Sequence, residues 1–104
     1  MVSELIQIQK SNIEELKLKL QTIYTLNLQI DNLRLQIEEE VDQAGKKKFG
    51  NELKRREELT KRSNSLGKDL LKEQNDLKIE IDILNRKIDL TYQEINYFLT
   101  QEKK

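Results

Sequence analysis

The chain has no cysteine, histidine, tryptophan or proline, and each absence excludes something. Without Cys or His there is no disulfide, no thiol nucleophile, no ordinary zinc site and no imidazole for acid–base chemistry. Neither a cofactor nor a metal is expected. Aromatic residues make up 5% of the 104 positions, too little for a broad globular core, so an elongated helical form is expected. Charge of one sign is also missing: 19 basic and 19 acidic residues cancel, leaving no overall field to draw the chain onto nucleic acid or an anionic membrane. No apolar run approaches the roughly 20 residues of a membrane helix, so membrane insertion is not expected. The segment Met1 to Lys10 lacks the basic and apolar blocks of a signal peptide. The expectation is a cytoplasmic protein, or one secreted without a cleavable signal peptide.

What is present is helix-forming sequence. With glycine confined to Gly45, Gly50 and Gly67, little in Val2 to Ala44 or in Asn51 to Glu102 breaks a helix. The spacing predicts an all-α fold of two long helices in an antiparallel coiled-coil hairpin. It forms one domain over 1–104, with helix one at about 3–44, a turn at 45–50 and helix two at about 51–101. In the turn, Gly45, Phe49 and Gly50 surround the basic run Lys46, Lys47 and Lys48. A glycine past a helix end can adopt the left-handed conformation, and Asn51 can accept from the amides that open the next helix. Glu38, Glu39 and Glu40 fall near a helix C-terminus, where the dipole disfavours them, so Lys46 to Lys48 are expected to fold back and neutralise them. Ser63, Asn64, Ser65 and Gly67 are poor helix formers, which marks 63–67 for a break and a restart near Asp69.

Apolar residues fall into stripes. In helix one Ile13, Leu16, Leu20, Ile23, Leu26, Ile30, Leu33 and Ile37 trace a seam with one slip after Ile23. In helix two the seam is Leu59, Leu66, Leu70, Leu77, Ile81, Leu84, Ile88, Ile95 and Phe98, interrupted by Ser63, Glu73 and Thr91. Such seams can bury each other, yet the gain barely offsets the entropy of ordering the chain. Ile79, Ile83, Leu90 and Tyr97 recur on nearly the opposite side of helix two, and Leu18, Leu28 and Leu35 fall off the seam of helix one. A hairpin uses one face of each helix, so this second stripe is expected to receive another helical protein, or, in the alternative of a self-associating structural coiled-coil subunit of an intracellular assembly, a second copy in a four-helix bundle.

Catalysis is not expected. The carboxylates Glu14 with Glu15, Glu57 with Glu58, and Glu80 with Asp82 lack a pocket that would desolvate them, and a two-helix rod has no cleft. The spacing of Gly45 and Gly50 lacks the lysine of a phosphate-binding loop. The turn is locally basic through Lys46, Lys47, Lys48, Arg55 and Arg56, which leaves a nucleic-acid contact module as a lesser alternative. Phe49 alone offers base stacking there, and the same charges can pair with neighbouring glutamates.

Lys48-Phe49-Gly50 occupies the turn, and Phe98-Leu99-Thr100-Gln101-Glu102 places an acid four residues after an aromatic near the end of helix two. In these features and in outline the chain resembles the WXG-type helical hairpins of type VII secretion and the small helical partners of LXG toxins. Tryptophan is absent here, and the mid-chain aromatic directly precedes its glycine. The resemblance implies an adaptor that targets a toxin or effector for type VII secretion. It implies further that Phe98 and Glu102 belong to an export signal and that Phe49 and Gly50 shape the turn.

Overall fold

A computed structural model describes residues 1–102, the side chain of Glu102 excepted. The fold is all-α. Among the described residues the helices are α1 (Val2–Glu39), α2 (Glu52–Ser65) and α3 (Leu70–Glu102). The chain divides into two compact units, unit 1 from Met1–Thr22 with Leu77–Lys104, and unit 2 from Ile23–Asp76.

In unit 2 the chain turns back on itself as a helical hairpin. Asn27 accepts from Gln74 Nε2 at 2.6 Å, and Glu40 pairs with Arg62 at 2.7 Å, so numbers rise along one arm as they fall along the other. Ile30 and Ile37 are 0% and 1% exposed, and Leu26, Leu59 and Leu70 are buried with them. These side chains supply most of the hydrophobic stabilisation, on the order of 1.5–3 kcal/mol for each one fully buried.

The first helix ends at Glu39 rather than near residue 44, because Asp42 diverts the backbone. Its Oδ1 accepts from the amides of Ala44 and Lys46, both at 2.9 Å, which competes with continuing the helix. Asp42 N–H donates to Lys46 O at 2.7 Å, Lys48 N–H donates to Glu40 O at 2.9 Å, and Val41 bridges Lys47. Gly45 closes this turn at φ +80°, a conformation that favours glycine. The connection therefore runs over residues 40–51. Asn51 then caps α2 as its position suggested, accepting from Lys54 N–H at 2.8 Å.

Neutralisation of the acidic end of α1 comes mainly from Arg62 rather than from the lysine run. Its Nη2 donates to Glu40 at 2.7 Å and its Nε donates to Glu58 at 2.8 Å. The Arg62 hydrogen bond holds the Glu40 carboxyl below the usual carboxylate range, partial burial opposes this, and the charges of Arg62 and Lys48 add to it.

The second arm breaks where its weak helix formers fall. Gly67 takes φ +74° just past α2, and its N–H donates to Asn64 O at 3.0 Å. Asp69 caps α3, accepting from Lys72 N–H at 3.1 Å. Between them the buried Ser63 hydroxyl donates to Lys68 O and accepts from Leu70 N–H, both at 2.7 Å. Ser63 thus satisfies two backbone groups that the break leaves without helical partners.

Unit 1 is an antiparallel pair. Gln9 Nε2 donates to Ile88 O at 2.8 Å, and Lys19 pairs with Glu80 at 3.2 Å. Val2, Leu5, Gln9, Asn12, Leu16 and Lys19 are its half-buried positions on α1, and Leu77, Ile81, Leu84, Ile88, Thr91, Ile95 and Phe98 are half-buried or buried on α3. Ile13 and Leu20, expected in the seam, are 39% and 46% exposed, and Asn12 and Lys19 hold the inward places. The reason is that α1 continues without a slip: the steps of three and four through Ile23, Leu26, Ile30, Leu33 and Ile37 extend back to Lys19 and Leu16. Leu66, also expected in the seam, lies outside it and exposed at the break between α2 and α3.

Two predictions arise from unit 2. Ser63→Ala leaves the buried Leu70 amide unpaired and should lower stability by about 1–3 kcal/mol, read as a fall in the urea midpoint. An unchanged midpoint would mean that Ser63 does not hold the break. Because the Glu40 pKa is lower in the folded state, its contribution is present at neutral pH and is lost as pH falls through that lowered value. The stability difference between the natural chain and Glu40→Gln should therefore shrink on acidification; a difference independent of pH would contradict it.

Candidate functional site

The turn concentrates positive charge but already uses part of it. Lys46, Lys47, Lys48 and Arg56 are exposed, while Arg55 is half-buried and donates Nη1 to Phe49 O at 3.3 Å. The half-buried Phe49 ring carries Lys48 Nζ at 5.8 Å and Arg62 at 5.7 Å from its centroid. Cations thus already engage the one aromatic ring that a base could stack on. Gly50 does not take a left-handed conformation, so the sharp backbone in this turn belongs to Gly45.

Several of the paired carboxylates serve as ion-pair partners on helix surfaces. Glu14 lies 3.7 Å from Lys17, Asp82 lies 3.1 Å from Arg86, and Glu15 and Glu80 both reach Lys19, at 4.0 and 3.2 Å. The exposed pairs, Glu14–Lys17 and Asp82–Arg86, are worth up to about 1 kcal/mol each. Among the described residues, no cluster of acids has the arrangement of a metal site, and no helix is long and apolar enough to cross a membrane.

The off-seam apolar residues are exposed in both units. In unit 1, Ile79, Ile83, Leu90 and Tyr97 on α3 are 45–60% exposed, and Leu18 on α1 is exposed too. Steps of four, seven and seven put the α3 residues along one side of the helix, away from the seam residues Ile81, Leu84 and Ile88. Leu28 and Leu35 are exposed on the part of α1 that belongs to unit 2. A row of large apolar groups on one helix is what a helix-in-groove or bundle contact uses.

Phe98 lies on the seam side of α3, half-buried, with its ring edge-on to Tyr97 at 5.4 Å and 76°. The other expected signal residue, Glu102, has its side chain outside the described residues.

The structure also shows an apolar flank that pattern reading assigned to the seam or overlooked. Ile6, Ile13 and Leu20 each follow an inward position of α1 by one residue, and Tyr92 and Leu99 do the same on α3. All five are exposed. Their seven-residue recurrence, at 6, 13 and 20 and at 92 and 99, is the sequence signal that marks them. Comparison with known proteins finds no family model, no curated protein and no solved structure that matches the chain.

Proposed function

We propose that the protein acts by binding, as a non-enzymatic partner or adaptor for another helical protein, through the outer stripe of α3. The observation that carries this reading is the exposure of Ile79, Ile83, Leu90 and Tyr97 along one side of a continuous helix. A helix of the partner laid along that stripe would bury large side chains that the seam does not use. Glu80 at the edge of the stripe and Arg86 within it, between Ile83 and Leu90, would set its register and exclude other partners. Under the resemblance to type VII hairpins, the partner would be an exported toxin or effector, and the end of α3 would carry the targeting signal.

Ile83→Asp should leave the helix content of the chain unchanged by circular dichroism and lower partner affinity on the order of 30-fold or more. Loss of helix in the isolated variant would mean that the stripe is internal packing. Separately, Glu102→Ala should leave folding and partner binding intact while abolishing export in a host with a type VII system. Unchanged secretion would remove the targeting part of the proposal and leave the binding part standing.

A further inference from the structure

The two sides of unit 1 differ in chemistry. Glu15 and Glu80, each one residue before an inward position, meet Lys19 on one side, so that side is ionic at Lys19, although Ile8 is exposed further along it. In an antiparallel pair, the residues just after corresponding inward positions share the other side. This puts Ile6, Ile13 and Leu20 of α1 along one groove with four residues of α3, Tyr92 and Leu99 towards its Ile6 end and Asn85 and Lys78 near Ile13 and Leu20.

Charged rims border that groove, with opposite signs on its two helices. On α1, Lys10 and Lys17 alternate with Ile6, Ile13 and Leu20 in steps of four and three; on α3, Asp82 and Asp89 lead in the same way to Tyr92. Counting from the Lys19–Glu80 pair, one residue down α1 for each one up α3, brings Lys17 level with Asp82 and Lys10 level with Asp89, and the Gln9–Ile88 bond agrees to within two residues. Among the described residues neither Lys10 nor Asp89 makes an ion pair, and Lys17 and Asp82 have exposed partners only on their own helices.

We propose that a second copy of the chain covers this groove, related by a two-fold axis parallel to the helices of unit 1. That operation sets α1 beside the partner copy's α3 at unchanged level. It presents Lys10 to Asp89 and Lys17 to Asp82 twice over and buries the two apolar grooves against each other, completing four helices. The other two-fold arrangement, α1 beside α1, would oppose lysine to lysine and aspartate to aspartate. Charge complementarity therefore selects the axis as well as the occupant. The surface is distinct from the outer stripe of α3, so the dimer would leave two such stripes free.

Light scattering and sedimentation of the full chain test this. The natural chain should be a dimer, and Ile13→Glu should make it monomeric. Lys10→Glu with Lys17→Glu, or Asp82→Lys with Asp89→Lys, should each raise the dimer dissociation constant about tenfold or more, because like charges then meet across the interface. The fourfold variant carrying both reversals should recover the natural dimer, which separates charge pairing from a folding defect. Ile83→Asp should leave the dimer unchanged. A monomeric natural chain, a dimer indifferent to both reversals, no recovery in the fourfold variant, or loss of the dimer with Ile83→Asp would each overturn the proposal.

Discussion

Two helices in contact bury one stripe from each, about two residues in seven, and every other apolar residue must find cover elsewhere or stay in water. In unit 1 the constraint is tight, because Gln9, Asn12, Lys19 and Thr91 hold inward positions that leucine or isoleucine could fill. The Gln9 side chain shows the cost: its amide nitrogen reaches Ile88 O, but its buried Oε1 has no partner among the described residues. An unpaired buried acceptor of this kind costs about 1–3 kcal/mol. Unit 2 is different, with Leu26, Ile30, Ile37, Leu59 and Leu70 buried together. Polar groups in the seam and apolar groups beside it are two aspects of one allocation. They make unit 1 the part of the molecule with the most apolar surface to offer.

Much of this was legible in the residues. Absence of proline announced the helices, the serines with Gly67 announced the break, and Asn51 announced a cap, since each acts through its own backbone preferences. The outer stripe was legible too, because recurrence every four and seven residues survives without knowledge of the neighbouring helix. What did not show was anything that depends on a distant partner or a local competition. Ile13 and Leu20 read as seam because they are apolar, yet the inward positions of α1 keep steps of three and four from Leu16 through Lys19 to Ile37 and pass them by. Asp42 gave no sign that its carboxylate would end α1 early. Nor did Arg62 stand out among the basic residues as the one that joins Glu40, Glu58 and Phe49.

The turn region illustrates how charge can be abundant and still be occupied. Eight basic residues lie between Lys46 and Arg62. The most deeply engaged of them, Arg62, ties the end of α1 to α2 and also lies against an aromatic ring. Its guanidinium suits this because a planar fork can serve two carboxylates and a ring face at once, which an ammonium group could not.

Sequence separation gives the two units different histories. The side-chain pairs that tie unit 2 together span 22 and 47 residues, whereas those of unit 1 span 61 and 79. Closing a longer loop carries a larger entropy cost, and contacts of high separation form late. Unit 2 can therefore zip from its turn while the two segments of unit 1 are still searching for each other. With the weaker seam also placed at the far end of that search, local opening will concentrate in unit 1, and amide hydrogens there will exchange before those around Ile30 and Ile37.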